Sequence, residues 1–153
     1  MLDLIIKNGS CYIDKDLKDQ DISIKDGKII KIGKIDSEAK ETFDAKGLTV
    51  LPGCIDTQTH FREPGSTDTE DLHSGSRAAI VGGITSVFEM PNTNPPTSTK
   101  VEFQKKLDLA KNRMYCNYAF YFGATADNAS ELADLVNLEG CCGIKLFAGS
   151  STG

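Results

Sequence analysis

The chain has 153 residues, of which 39% are hydrophobic and 25% are charged, and its formal net charge is -5. This composition suits a globular protein with one ordinary core rather than a disordered chain. The negative charge argues against nucleic acid or an anionic membrane as the partner. The N-terminus lacks the basic region of a signal peptide, and no apolar stretch reaches the roughly 18 residues of a spanning helix. We therefore expect a cytoplasmic protein.

The cysteine content favours reduced thiols. The count is odd, no C-x-x-C motif occurs, and two adjacent cysteines are badly placed for a mutual disulfide. Buried, reduced side chains are expected in a cytosolic protein, and a cysteine zinc site is not. The five positions are Cys11, Cys54, Cys116, Cys141 and Cys142.

Residues 1–50 have the pattern of short strands joined by turns, and they predict a small β-sandwich segment. Asp26-Gly27 is a strong hairpin signal between two apolar, β-rich runs. No helical periodicity competes with the strands in this part of the chain. The predicted strands are Leu2–Lys7, Asp21–Lys25, Lys28–Ile32 and, interrupted by a glycine, Phe43–Val50.

From residue 51 to residue 153 predicted strands alternate with predicted helices, which indicates βαβ units and a parallel sheet. Four such units make half of a (β/α)₈ barrel, whose full length is about 250 residues. The sequence thus predicts the N-terminal half of such a barrel within a longer enzyme, with a complete short α/β protein as the alternative. The strands are expected at Leu48–Ile55, Ile84–Met90, Tyr115–Phe122 and Gly143–Phe147, a helix at Asp68–Val81, and helix N-caps at Thr99 and Asn128.

Polar side chains gather where the first of these strands ends. Asp56, Gln58 and His60 alternate, and a strand directs alternate side chains to one side. Such a convergence of ligand-type groups suits a metal site, although a polar strand exit that happens to carry a histidine is the plainer alternative. Arg62, two residues further on, adds a cationic fork that matches a carboxylate.

Two later strand ends carry further candidates. Asn92 lies in a proline-rich turn, Met-Pro-Asn-Thr-Asn-Pro-Pro, that would hold its amide in a fixed pose. Lys145 lies in an apolar strand, where burial favours the neutral amine that can add carbon dioxide to form a carbamate. A rigid turn and a snorkelling lysine are the alternatives for these two positions.

The segment Pro-Gly-Cys-Ile-Asp-Thr-Gln-Thr-His-Phe-Arg-Glu-Pro-Gly, the Met-Pro-Asn motif and Gly-Ile-Lys-Leu-Phe-Ala-Gly resemble the cyclic amidohydrolases, and dihydroorotase in particular. The resemblance implies interconversion of N-carbamoyl-aspartate and dihydroorotate in pyrimidine synthesis, with one or two zinc ions. It implies His60 and carboxylated Lys145 as metal ligands, and Arg62 and Asn92 as ligands of the substrate carboxylate. Gln58 replaces a family histidine and is a poor zinc ligand, which puts one metal site in doubt.

In that family the remaining histidine ligands and the general-base aspartate come from later strands, so this chain alone is expected to be inactive. Two other readings remain open. One is a related allantoinase or dihydropyrimidinase; the other is a non-catalytic homologue that serves as a structural partner of a pyrimidine-pathway enzyme. The full-length protein is expected to be a homo-oligomer or to associate with such an enzyme. His73 and the glycine-rich residues Gly149–Gly153 are set aside as a surface histidine and a loop lacking the phosphate-binding lysine.

Overall fold

The computed structural model describes residues 1–149, which form two compact units. The first unit is Met1–Pro52 and the second begins at Gly53. Of the glycine-rich residues Gly149–Gly153 set aside above, residues 150–153 lie outside the described range. The strands of the first unit are β1 (Leu2–Ile13), β2 (Asp16–Lys25), β3 (Lys28–Gly33), β4 (Ala39–Asp44) and β5 (Thr49–Val50).

The first unit is built on a single mixed sheet with the strand order β3-β2-β1-β4. β1, β2 and β3 are antiparallel neighbours, whereas β4 and β5 both run parallel to β1. The predicted hairpin is confirmed, because Asp26 and Gly27 connect β2 to β3 with φ angles of 51° and 71°. Two successive positive φ angles define the type I′ turn, for which this dipeptide is suited.

The first strand is twice as long as the prediction of Leu2–Lys7. Asn8 and Gly9 resemble a turn in the sequence, yet β1 continues through them to Ile13 with a shift in register at this point. Asn8 accommodates a φ of 61°, and its side-chain amide donates to Asp44 Oδ1 at 2.9 Å. The asparagine therefore makes an irregularity within the strand instead of ending it.

The second unit contains a four-stranded parallel sheet with the order β6-β7-β8-β9. This order and the helices between the strands confirm the predicted fold class, the first half of a (β/α)₈ barrel preceded by a β-rich segment. Its strands are β6 (Cys54–Thr59), β7 (Ile84–Glu89), β8 (Asn117–Gly123) and β9 (Cys141–Lys145), and its helices are α1 (Leu72–Val81), α2 (Lys100–Ala110) and α3 (Leu132–Leu135).

The apolar core of the second unit lies between one face of this sheet and the helices. Burial of these side chains supplies the main driving force for packing the helices on the sheet. The buried members are Phe61, Leu72, Val87, Phe103, Ala110, Cys116, Phe120, Phe122 and Leu135.

The predicted strand Leu48–Ile55 is wrong in its position. Pro52 and Gly53 separate β5, which belongs to the first sheet, from β6, which belongs to the second. Proline cannot donate a ladder hydrogen bond, so the break falls there. Asp56 and Gln58 consequently lie within β6, and His60 is the first residue after it.

Helix α1 begins four residues later than the predicted start at Asp68. The Asp71 side chain accepts a hydrogen bond from Ser74 N at 2.6 Å, and Ser74 Oγ accepts from Asp71 N at 3.1 Å. This reciprocal cap fixes the first turn. The cap predicted at Thr99 is confirmed, since its hydroxyl accepts from Glu102 N at 3.1 Å at the start of α2.

Asn128 occupies the N-cap position of the 3₁₀ turn before α3, but its side chain does not make the predicted capping hydrogen bond. The Asn128 amide donates to the carbonyls of Ser98 and Gly123 at 3.0 and 2.8 Å, so it joins the loops that follow β7 and β8. Its oxygen accepts from Thr125 N at 2.8 Å instead of from a helix amide. A 3₁₀ turn, Ala129–Glu131, follows, and α3 has only four residues.

Glu63 joins the loop after β6 to the start of α1 and to the turn that follows α2. Its buried carboxylate accepts from Arg113 Nη1 and Nη2 at 2.8 and 3.0 Å and from Leu72 N, at the start of α1, at 2.9 Å. A two-bond arginine–carboxylate pair fixes orientation as well as distance. The hydrogen bonds to Glu63 raise the pKa of Arg113, so the guanidinium remains positively charged.

All five cysteines are free, and burial with the neighbouring Cys141 raises the pKa of the Cys142 thiol to about 12. That thiol is therefore protonated at neutral pH and is a poor metal ligand. Among residues 1–149, no helix is both long and apolar enough to cross a membrane.

Gly75 marks a close approach between α1 and the loop after β6. A Cβ atom at this position would lie 2.5 Å from Phe61 Cδ1, and the Phe61 ring is buried. We predict that Gly75→Ala lowers the free energy of unfolding by about 1–3 kcal/mol, because overpacking outweighs the gain in helix propensity. Urea denaturation of the purified full-length protein measures it. Gly82→Ala is the control, since its Cβ would meet nothing nearer than Ala79 O at 3.4 Å; equal effects of both substitutions would contradict the prediction.

The Glu63–Arg113 pair gives a second prediction. Arg113→Met should lower the free energy of unfolding by about 2 kcal/mol, because it leaves a buried carboxylate with only the Leu72 amide as donor. Arg77→Met, an exposed substitution on α1, should change stability by no more than about 0.5 kcal/mol. A loss for Arg113→Met no larger than that of the control would show that the pair contributes little.

Candidate functional site

Parallel pairing brings the carboxyl ends of β6, β7, β8 and β9 to the same edge of the second sheet. In barrel and doubly wound α/β proteins, ligands bind at this edge, because the loops that follow the strands meet there. The loops after β6 and β7 are directly joined, since Met90 N donates to Thr59 O at 2.9 Å and Asn94 N donates to Pro64 O at 3.0 Å. Three of the predicted site residues lie in these two loops.

His60 and Asn92 are in contact. His60 Nδ1 lies 2.9 Å from Asn92 Oδ1, and both side chains are half-buried. With the amide oxygen as acceptor, the imidazole carries its proton on Nδ1, which leaves the lone pair of Nε2 available to a ligand. The sequence separates the two residues by 32 positions. Their contact connects the histidine of the first motif to the asparagine of the second.

Arg62 and Asn92 line the same small cavity, whose volume is about 80 Å³. A water molecule occupies roughly 30 Å³ in the liquid, so the cavity has room for a small polar group. The guanidinium, amide and hydroxyl groups around it are hydrogen-bond donors suited to an anionic or carbonyl oxygen. The lining residues are Arg62, Pro64, Ser66, Asn92, Thr93 and Asn94.

Lys145 is not brought into contact with His60. It ends β9, and β6 and β9 are the opposite edge strands of the four-stranded sheet. Its side chain is half-buried, and Nζ lies 5.1 Å from the centroid of the Phe147 ring. The strand position agrees with the prediction, but the apolar burial expected there is only partial.

Gln58 is exposed near the end of β6, and its backbone amide donates to Asp56 Oδ1 at 2.9 Å. Across residues 1–149, no group of three or more His, Cys, Asp or Glu side chains converges at a spacing that would hold a metal ion. The described residues therefore supply isolated donors at the strand edge and not a complete coordination sphere.

His73, set aside as a surface residue, is exposed on α1 and contacts Tyr115. Its Nε2 lies 3.2 Å from the Tyr115 hydroxyl, and the two rings pack edge to face. The contact lies at the surface and links α1 to the segment before β8, so it is structural.

A buried ion pair that was not predicted from the sequence lies beneath the loop after β7. Glu89 is the last residue of β7, and its carboxylate pairs with the Lys106 amine on α2; both side chains are fully buried. Burial raises the pKa of Glu89 to about 8, opposed by the charges of Lys106 and Arg62. Burial likewise lowers the pKa of Lys106, opposed by Glu89. The sequence signal was a lysine among the apolar positions of α2, between Phe103 and Ala110.

Comparison with known proteins identifies the family. The profile of the Amidohydrolase family matches residues 49–140, more than half of the chain. The allantoinase of Escherichia coli O1:K1 is 40% identical over 146 residues, which cover 95% of this chain and 32% of that protein. Allantoinases from other strains of the same species match to the same extent.

Solved structures agree in fold. The L-hydantoinase (dihydropyrimidinase) from Arthrobacter aurescens superimposes with a TM-score of 0.80 at 34% identity, over 88% of this chain and 31% of that chain. A D-hydantoinase superimposes with a TM-score of 0.75 at 35% identity, over 92% of this chain and 32% of that one. The chain therefore spans about a third of the length of these relatives.

These relatives support the predicted superfamily but do not show the dihydroorotase subgroup. They support the allantoinase or dihydropyrimidinase alternative at least as well as they support the dihydroorotase prediction. The family profile covers the segment from β6 to β8 with its loops, and these loops hold every residue that forms the His60–Asn92 contact and the Arg62 cavity. On sequence, fold and the position of these residues, the chain belongs to the amidohydrolase family of hydrolases.

Proposed function

We propose that the protein containing this chain is a metal-dependent hydrolase that opens the ring of a cyclic amide or ureide. The observation that supports it most strongly is the group formed by His60, Asn92 and Arg62 at the carboxyl edge of the parallel sheet. An imidazole nitrogen free to bind a ligand lies beside donors that can hold a substrate oxygen. The similarity to relatives named allantoinase and hydantoinase supports the proposal.

The first candidate substrate class is the five-membered cyclic ureides, allantoin and hydantoins. It rests on the 40% identity to an allantoinase and the 34% identity to an L-hydantoinase. In this function the Arg62 cavity would hold a ring carbonyl or a ureido oxygen.

Dihydroorotate is the second candidate, and Arg62 is the feature that favours it. A guanidinium beside the Asn92 amide is suited to a ring substrate that carries a carboxylate. Arg62 and Asn92 would then bind that carboxylate. The structural-partner hypothesis, in which the protein assists a pyrimidine-pathway enzyme without catalysing a reaction, remains the non-enzymatic alternative, and Gln58 is the residue that supports it.

The family is generally metal-dependent, with zinc common, and the described donors fit only part of a zinc site. His60 offers Nε2, whereas Lys145 would become a ligand only after its amine is carboxylated. Gln58 offers a neutral amide oxygen, a poor match for zinc. We propose that His60 and carboxylated Lys145 are ligands in the full-length protein, that residues outside this chain complete the site, and that Gln58 weakens it.

We further propose that the protein is a cytoplasmic homo-oligomer.

A substrate panel tests the proposed function and the role of Arg62 together. Full-length protein, expressed with added zinc, is given allantoin, hydantoin, dihydrouracil and dihydroorotate, and the ring-opened products are quantified by chromatography. We expect one of the ureides to be opened with kcat/KM at least about tenfold above that for dihydroorotate. Failure to open any of the four rings would contradict the proposed function.

Arg62→Lys separates the two substrate classes further. If Arg62 binds a carboxylate, the substitution should raise KM for dihydroorotate about tenfold with little change in kcat, because lysine keeps the charge but loses the two-bond geometry. Arg77→Lys on the exposed face of α1 is the matched control. An equal rise in KM for all four substrates would contradict a role specific to carboxylates.

Lys145→Ala tests the carboxylated lysine. Loss of an anionic ligand should remove at least one metal ion per chain, measured by elemental analysis of the dialysed full-length protein. Added acetate or propionate should restore part of the metal content, because either small carboxylate can occupy the vacated position. Lys105→Ala, exposed on α2, is the control. Unchanged metal content together with absence of rescue would mean that Lys145 is structural.

A further inference from the structure

The buried pair of Glu89 and Lys106 has a position that connects it to the candidate site. Glu89 ends β7, three residues before Asn92, and Lys106 reaches it from the middle of α2. Both side chains are essentially inaccessible to solvent, at 0% exposed. Charged side chains are seldom fully buried unless they are paired or functional, so this pair requires an explanation.

Lys106 holds the peptide that leads into the Asn92 turn. Its Nζ donates to Met90 O at 3.1 Å, in addition to its pairing with Glu89, and lies 5.1 Å from the centroid of the Phe120 ring. On the other side of the same residue, Met90 N donates to Thr59 O at 2.9 Å. Met90 is thus fixed from α2 through its carbonyl and from β6 through its amide.

The turn beyond Met90 is short and closely hydrogen-bonded. Pro91 O accepts from Thr93 N and from Thr97 N, both at 2.9 Å. Asn92 lies within this turn and reaches His60 Nδ1 at 2.9 Å. Any displacement of the Met90 carbonyl would therefore be transmitted to the Asn92 amide, because few bonds in this turn are free to rotate.

Stability alone is a weak reason for such a pair. Two charges removed from water lose solvation that their attraction only partly restores, and apolar side chains of similar volume often stabilise a core as well or better. Phe120, whose ring lies beside the Lys106 amine, belongs to the apolar core of this unit, so apolar side chains suit this interface. Apolar replacements would not fix the orientation of the Met90 peptide, because a methyl group cannot donate to the Met90 carbonyl.

We propose that Glu89 and Lys106 are a positioning pair, which fixes the turn after β7 so that Asn92 stays on His60. Neither side chain touches the candidate ligand. The proposal rests on the proposed function for its kinetic consequence only, since the His60–Asn92 contact can be measured without any substrate.

Three variants of the full-length protein test the proposal. Lys106→Met leaves a buried carboxylate alone, Glu89→Met with Lys106→Met removes both charges, and Lys105→Met is the control, with an exposed lysine one position away. The measurements are the thermal midpoint, kcat/KM on the substrate that is opened best, and the His60 Nδ1 to Asn92 Oδ1 distance in crystals.

We expect Lys106→Met to have the lowest thermal midpoint and the double variant to recover most of the loss. Despite that recovery, the double variant should lose the His60–Asn92 hydrogen bond, and its kcat/KM should fall about tenfold or more, as for a misplaced active-site group. Lys105→Met should behave as the parent protein.

The proposal is overturned if the double variant keeps both the hydrogen bond and the parent kcat/KM, because the pair would then serve packing alone. It is also overturned if the double variant fails to fold, since the charges would then be required for stability. A full-length protein that opens no ring contradicts the proposed function instead, and in that case the crystallographic distance alone decides on the positioning role.

Discussion

Because β6, β7, β8 and β9 pair in parallel, all four end at one edge of their sheet, and the candidate site depends on that arrangement. Two backbone hydrogen bonds then join the first two of the following loops, from Met90 N to Thr59 O and from Asn94 N to Pro64 O. With the loops held together, a histidine and an asparagine that are 32 positions apart come within 2.9 Å. The geometry of the site thus follows from sheet pairing before any side-chain chemistry is considered.

Two buried carboxylates support these loops from the helical side. Glu63 binds Arg113 and the first amide of α1, whereas Glu89 binds Lys106 on α2. Each carboxylate lies next to a residue of the candidate site or close to it in the chain, and its partners lie at the start of α1, within α2 or in the turn that follows α2. Paired charges in these positions fix the orientation of the loops more specifically than burial of apolar surface does. The site is therefore coupled to the helix packing behind it.

In the proposed function, Gln58 and Arg62 favour different activities. Gln58 would weaken a zinc site, while Arg62 would bind a substrate carboxylate that a plain ureide lacks. The allantoinase and the two hydantoinases described above share at least a third of the aligned residues with this chain, which supports ring opening without selecting the ring. Substrate choice in such a site depends on a few contacts, so closely related members of the family can differ in it.

The sequence by itself determined the features that depend on local chemistry. Asp26-Gly27 predicts a type I′ hairpin, because this turn depends on the dihedral angles of the two residues themselves. Thr99 predicts a helix cap, because its side chain binds a backbone amide only three residues away. The alternation of strands and helices predicted the half barrel, and the motifs around His60 and Asn92 predicted the superfamily and the residues that line the strand edge.

Only the tertiary structure decided the features that depend on distant partners. β1 continues through Asn8 because β2 pairs with it both before and after this residue, and Asn128 joins two loops instead of capping a helix. The partners Glu63 and Arg113 are 50 positions apart, and no periodicity in the sequence specifies which arginine a buried carboxylate will meet. The lysine among the apolar positions of α2 was a signal of the Glu89–Lys106 pair, but its partner was not, since the pairing depends on how α2 packs on the sheet.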